Sequence, residues 1–230
     1  MLISKPADLA PAALVAAYDS ERAAFRARHV SGSGIAGVVQ AFHAVRNMPY
    51  FSGPDRTPLA ALHNGRGACT AKHLILRDLL RDLGYDAQVE LVACDFAAAV
   101  PLVPGMPEAL RGFVQDAGVR DMHCWVRLHL DGQGLLLDAT WPDSLAAQGF
   151  AVNADWAGAG DTRPAAPGER RDAPEDVLAR KAELLAELAP EEIQRRRAFL
   201  EVLSAWLEDM AGGRERGGRG NLDRLLSSGN

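Results

Sequence analysis

The order of apolar and polar positions divides the chain into helical stretches near both ends and a helix, a strand and a hairpin between them. From Asp8 to His29, Leu9, Ala13, Ala16, Ala17 and Ala24 recur at helical intervals, and alanine favours helix, so the spacing predicts a first helix. Ser31-Gly32-Ser33-Gly34 interrupts it, and Ile35 to Val45 reads as a second helix. Residues 47–66 carry Pro49, Gly53, Pro54, Pro58 and Gly65 and read mostly as loop. Another amphipathic stretch begins at or just after Cys69. Cys69, His73 (or Lys72), Leu76, Leu80 and Leu83 share one face of it, and Gly84 supplies the stop through left-handed backbone geometry.

The period then changes to two. Asp86 to Cys94 alternates around Ala87, Val89, Leu91 and Ala93 and reads as a strand. Residues 95–121, with Pro101, Pro104, Gly105, Pro107 and Gly118, form a long excursion that holds a short helix near Glu108–Gln115. Met122–Leu130 and Leu135–Trp141 then form a hairpin around Asp131-Gly132, a dipeptide suited to the positive φ angles of a type I′ turn. Parity sorts the first hairpin strand: Cys124, Val126, Leu128 and Leu130 on an apolar face, His123, Trp125, Arg127 and His129 on the other. A two-residue turn at Asp131-Gly132 sets Trp125 opposite Asp138 and His123 opposite Thr140. His123 and Asp138 are then diagonal neighbours, about 7–8 Å apart at the backbone and within side-chain reach. A turn one residue later would put Asp138 opposite Arg127, too far from His123. After Trp141-Pro142 the chain reads as loop to about Ala173. Pro174–Leu188 and Pro190–Met210 follow as helices opened by proline, the second with Ile193, Leu200, Leu203 and Leu207 in register. Their charged positions read as a solvated face. This organisation predicts one domain over 1–210, with a core at about 47–145, flanking helices at 8–46 and 174–210, and a glycine- and arginine-rich tail at 211–230 that reads as disordered.

Composition narrows the function classes. With 230 residues, 48% hydrophobic content and a formal charge of −5, the chain suits a single globular unit with no broad basic surface for nucleic acid. No run approaches the ~18 apolar residues of a membrane span, and the first residues lack the basic-then-apolar pattern of a signal peptide. The three cysteines, Cys69, Cys94 and Cys124, are too few and too unevenly spaced for a disulfide framework or a zinc finger. A cytoplasmic location with reduced thiols is the expectation, and neither a metal nor an organic cofactor is expected. Cys94 and Cys124 read as small buried hydrophobes by strand parity.

Cys69 reads differently. It stands at a helix start behind Gly65 and Gly67, where exposed amides and the helix dipole favour thiolate over thiol, and the thiolate is the nucleophile. His123 can act as its base and Asp138 can fix the imidazole tautomer and stabilise the imidazolium. The three together suggest acyl transfer through a Cys69 thioester. The oxyanion needs preorganised donors. Candidates are the Cys69 backbone N–H and the side chains of Asn64 or His63. Trp125, on the His123 face, is a candidate wall of the substrate cleft. His73 could tune the thiolate but reads more simply as a packing residue, and a Cys69/His73/His123 metal site lacks a compact ligand motif.

The ordered set Gly67-x-Cys69-x3-His73, Leu79-Leu80-x2-Leu83-Gly84, His123-x-Trp125-Val126 and Leu137-Asp138-Ala139-Thr140 resembles the transglutaminase-like superfamily of the papain-like cysteine-enzyme clan. The resemblance covers about residues 64–143. It implies an α+β fold, with a nucleophile helix packed on a small antiparallel sheet, Cys69 as nucleophile, His123 as base and Asp138 as orienter. Thr70 stands where many members carry a bulky aromatic, and Cys124 where alanine or valine is common. Members of the family include amide-forming cross-linkers, proteases, peptide N-glycanases, amidases and inactive relatives. The resemblance therefore implies an enzyme whose partner is a peptide- or acyl-bearing substrate, with hydrolysis or transfer to an amine acceptor as the second step. Two alternatives stand beside it. One is a catalytically silent interaction scaffold. The other is an acyltransferase similar to arylamine acetyltransferases, whose R-G-G-x-C motif would place the arginine one position earlier than Arg66.

Overall fold

The computed structural model describes residues 10–226. Seven α-helices and four strands lie along them: α1 (Pro11–His29), α2 (Gly34–Arg46), α3 (Pro58–Asn64), α4 (Cys69–Asp82), β1 (Asp86–Asp95), α5 (Glu108–Gly112), β2 (Arg120–Leu130), β3 (Gln133–Leu137), β4 (Gly168–Asp172), α6 (Val177–Ala186) and α7 (Pro190–Leu226). The strands form one antiparallel sheet in the order β3-β2-β1-β4. This is an α+β architecture in which the helix that opens on Cys69 packs against a small antiparallel sheet, the arrangement implied by the transglutaminase-like resemblance.

The apolar stripe of α4 explains its position. Leu74, Ile75, Leu76, Leu79 and Leu80 join Ala87, Val89 and Leu91 of β1 and Cys124, Val126 and Leu128 of β2 in one core, which α1, α2 and α6 complete through Phe25, Phe42, Val45, Val177 and Leu184. A second core lies around Phe96, Val119 and Trp141 and is closed by Phe199, Leu200 and Leu203 of α7. Arg196 of α7 and Asp121 of β2 add a largely buried ion pair at 2.6 Å, which fixes the last helix to the start of the central strand.

The hairpin has the register set by the Asp131-Gly132 turn. Leu130 pairs with Gln133 and Val126 with Leu137, and both turn residues have positive φ, 49° and 79°. The second hairpin strand, read as Leu135–Trp141, instead covers Gln133–Leu137, so the expected pairs Trp125–Asp138 and His123–Thr140 do not form in the sheet, and Asp138 leaves it to meet His123 by its side chain.

Three segments differ from the sequence reading. Residues 47–66 contain a complete short helix, α3. Thr57 caps it through its side chain, Pro58 begins it and Gly65 ends it with φ 65°, all signals present in the sequence. The stretch read as loop up to Ala173 contains β4, whose Gly-Glu-Arg-Arg-Asp sequence is mostly exposed and lacks the alternation that marks a half-buried strand. It pairs at the sheet edge because Gly168 lets the backbones meet: a Cβ there would stand 2.4 Å from the Ala93 carbonyl oxygen. The last helix continues past Met210 to Leu226, through the glycine- and arginine-rich segment that reads as disordered. Asp8 and Leu9 of the first predicted helix, and residues 227–230 of the tail, lie outside the described residues.

Candidate active site

Cys69 is the first residue of α4, so its N–H has no acceptor within the helix and lies at the positive end of the helix dipole. Gly67, two residues earlier, lies where α3 and α4 meet, and a Cβ on it would stand 2.8 Å from the Ala61 Cβ. The turn that presents Cys69 therefore has no room for a larger residue.

His123 and Asp138 are brought together. His123 Nε2 and Asp138 Oδ2 are 2.9 Å apart, and both side chains are buried. The other imidazole nitrogen, Nδ1, is buried and has no hydrogen-bond partner among the described residues. The ring is fixed on its far side by Phe96, with centroids 5.4 Å apart, and flanked by Trp125 at 6.3 Å. Asp138 is a hub for buried donors. Oδ1 accepts from the Thr140 N–H and hydroxyl at 3.0 and 2.6 Å, and Oδ2 accepts from the Ala165 N–H at 2.7 Å as well as from His123. Its own N–H donates to the Thr162 hydroxyl at 2.7 Å. The segment around 162–165, which carries no motif in the sequence, thus sets the carboxylate.

The electrostatics follow. The Cys69 thiol is held well below the ordinary thiol range, first by the neighbouring Cys124 thiol, which donates toward its sulfur, then by the charges of Lys181 and His123, all against a burial that favours the neutral form. Burial opposes charging of His123, but Asp138 and the Cys69 thiolate outweigh it and push the imidazolium up to about 10. Burial also opposes ionisation of Asp138, and the charge and hydrogen bond of His123 outweigh it, so the carboxyl is held well below its usual range. The combination favours a thiolate–imidazolium pair oriented by a carboxylate.

Cys124 does lie in the core, as its parity indicates, yet it is also a neighbour of the site: its Sγ is 3.7 Å from His73 Nδ1. Burial, then the Cys69 thiolate, keep Cys124 well above the usual thiol range, so it remains a donor. His73 has a positioning geometry. Its Nδ1 lies 2.8 Å from the Cys69 carbonyl oxygen and its Nε2 accepts the Ala139 N–H at 2.8 Å, which assigns the neutral ring with the proton on Nδ1. The ring thereby joins the first turn of α4 to the residue after Asp138. Lys72 does the same over a longer distance. Its fully buried Nζ donates to the carbonyls of Arg46, Met48 and Thr140 at 2.9, 2.8 and 2.7 Å. Burial pulls Lys72 down to about 7, while the three carbonyls occupy all three ammonium protons and act to keep the charge.

The remaining predicted residues are placed as follows. Trp125 is buried beside His123, and its indole N–H is committed to Glu90 at 2.7 Å. Asn64 ends α3 and gives its amide N–H to the Ala60 carbonyl at 2.8 Å, and His63 is exposed one residue before it. Neither hydrogen-bonds Cys69 among the described residues. The Cys69 N–H is thus the oxyanion candidate that the structure leaves at the sulfur, while Trp141 Nε1 is another buried donor without an acceptor. Cys69, His123 and Asp138 are 3%, 0% and 2% exposed. A cavity of about 170 Å³ is lined by Arg56 and Asn64 and by Gly67, Ala68 and Ala71, neighbours of Cys69 in the chain, but not by Cys69 itself.

Lys181 was missed by the sequence reading, which assigned the charges of 174–210 to solvent. It is 7% exposed, and its Nζ donates to the Thr70 hydroxyl at 2.9 Å. The signal was its position: four residues after Val177 and three before Leu184, on the stripe that α6 buries.

Among the described residues no group of acidic, histidine or cysteine side chains could hold a metal ion, and no helix is long and apolar enough to cross a membrane. No family model and no curated protein matches the chain. Among solved structures, it is similar to a "putative cysteine protease" from Cytophaga hutchinsonii, with 17% identity, a TM-score of 0.37, and 62% of this chain covered against 47% of that one. It is also similar to a structure described as a TGase, with 11% identity, a TM-score of 0.39, and coverage of 62% and 38%. The chain spans less than half the length of either structure. Both TM-scores lie below 0.5, so these likenesses add no weight to the chemistry of the chain's own residues.

Proposed function

We propose that this protein is a transglutaminase-like cysteine enzyme that cleaves an amide through a thioester on Cys69, with hydrolysis of a peptide-like amide as the favoured reaction. The observation that carries the reading is the His123–Asp138 hydrogen bond of 2.9 Å, which leaves the second imidazole nitrogen buried and unpaired near a thiol at a helix start. The Cys69 sulfur attacks the carbonyl carbon and forms the C–S bond while the carbonyl oxygen takes the negative charge, toward which the Cys69 N–H is directed. The C–N bond then breaks, and the imidazolium of His123 gives its proton to the leaving amine. The neutral imidazole next takes a proton from water, whose oxygen attacks the thioester. Release of the carboxylic acid returns the thiolate and the imidazolium. Asp138 keeps its negative charge throughout and holds the ring by Nε2. An amine in place of water would complete acyl transfer from the same thioester. Hydrolysis is favoured because water needs no binding site of its own.

The test is intact mass after incubation with a panel of peptide amides, esters and thioesters. An acyl adduct located on Cys69 is expected, together with turnover that falls about 10⁴-fold or more in Cys69→Ala while the fold persists. Full activity in Cys69→Ala removes the mechanism. Alkylation of Cys69 by iodoacetamide no faster than that of free cysteine, with no rate plateau near neutral pH, favours a silent scaffold instead.

A further inference from the structure

Among the described residues, four basic side chains act electrostatically on Cys69, and three of them are already matched. His123 is paired with Asp138, Arg196 with Asp121 at 2.6 Å, and Lys72 with three backbone carbonyls. Lys181 is the exception. It is nine-tenths buried, no carboxylate pairs with it among the described residues, and its one hydrogen-bond acceptor there is the hydroxyl of Thr70, the residue after Cys69. A buried ammonium without a counter-charge is costly. The anion that the site can offer it is the Cys69 thiolate. The hydroxyl between them is suited to connect the two. Thr70 Oγ1 accepts from Lys181 at 2.9 Å, which leaves its own proton for the sulfurs beside it, Cys69 Sγ at 3.9 Å and that of Cys124.

We infer that Lys181 is a positioning residue for the nucleophile: it acts through the Thr70 hydroxyl to hold Cys69 as a thiolate, independently of His123. The inference rests on the proposed role of Cys69 and goes beyond it, because Lys181 lies on α6, outside the segment that resembles the transglutaminase-like family. Thr70 is itself a departure from that family's common aromatic, and an aromatic hydrocarbon ring there would offer Lys181 no oxygen. Among the described residues the other titratable groups near Cys69 are His73, whose two ring nitrogens are committed to the Cys69 carbonyl and the Ala139 N–H, and Tyr50, Cys94 of β1 and Cys124 of β2, which burial raises and keeps neutral near pH 7. They leave Lys181 as the unmatched charge on the thiolate.

The experiment is the pH profile of Cys69 alkylation by iodoacetamide, read at the Cys69 peptide by mass spectrometry, in the wild-type chain and in Lys181→Met, Lys181→Arg and Thr70→Val. Loss of the cation is expected to move the midpoint of thiolate formation upward by about one pH unit, so that alkylation on the acid side falls about tenfold while the alkaline plateau is unchanged. Thr70→Val should move it in the same direction, and Lys181→Arg should restore the acid-side rate. A role confined to packing would lower stability without moving the midpoint. If the wild type shows the thiolate plateau and neither Lys181→Met nor Thr70→Val shifts it, this inference fails and the proposed function stands. If wild-type Cys69 titrates as an ordinary thiol, both fail.

Discussion

At the residue scale, the site depends on how many buried groups converge on one carboxylate. Asp138 accepts from His123, Thr140 and Ala165 through two oxygens that are almost wholly removed from water. Asp138→Asn would keep the shape but replace one acceptor oxygen with an NH₂ that meets donors. Two consequences are expected. Turnover should fall by about 10⁴-fold, because the amide neither stabilises the imidazolium nor enforces the reactive tautomer. Stability should fall by about 1–3 kcal/mol, for a buried donor left facing donors. A melting curve measured alongside the steady-state rate separates the two, and an unchanged rate would remove Asp138 from the mechanism. Cys69, His123 and Asp138 were legible in the sequence because each carries its chemistry in its identity and stands at the end or start of an element. Lys181 and Lys72 were not, because a lysine reads as solvated until the surrounding carbonyls and hydroxyls are known.

At the element scale, α4 is tied to the chain after β3 by two side chains one turn or less from Cys69. His73 reaches Ala139 and Lys72 reaches Thr140, and Lys72 also grips the end of α2 and Met48. Lys72→Met should preserve the volume and break all three bonds. The expected loss is about 3 kcal/mol, seen as a lower denaturation midpoint in urea, with a lower rate even where the protein remains folded because Thr140 and Asp138 share one turn. A variant as stable as the wild type would show that the three carbonyls find other donors. The helix α4 and the hairpin were readable from periodicity and from Asp131-Gly132, down to the pairing of Leu130 with Gln133. Strand β4 was not, since an exposed edge strand of charged residues has no alternating pattern to reveal it.

At the scale of the whole molecule, the buried charges couple the site to folding, and the signs can be worked out. His123 is raised from 6.5 to about 10, so its contribution is fully present below about pH 6.5 and is lost as pH rises through 10. Asp138 is depressed, so its contribution is present above its ordinary 3.8 and is lost as pH falls through the lower folded value. Thermal melting followed across pH should therefore show a decline between about pH 6.5 and 10, and His123→Ala should reduce that decline and also shrink the acid limb, because the charge and hydrogen bond of His123 hold Asp138 low. A His123→Ala profile with the same alkaline limb would place its origin in another group. The second core adds a different kind of constraint. Phe199, Leu200 and Leu203 of α7 close over Phe96, which itself touches the His123 ring, so the last helix helps to set the environment of His123 from far along the chain.

The sequence by itself determined the elements that carry the chemistry and the register of the hairpin, because period, turn residues and parity act over a few neighbouring positions. The tertiary structure decided what surrounds Cys69. It brought Lys181 from α6 to Thr70 and Arg196 from α7 to Asp121, gave Asp138 its donors from 162–165, and enclosed Cys69, His123 and Asp138 almost completely. Those contacts join residues far apart in the chain, and the energy of a buried charge depends on every group within a few ångströms of it, which no local pattern records.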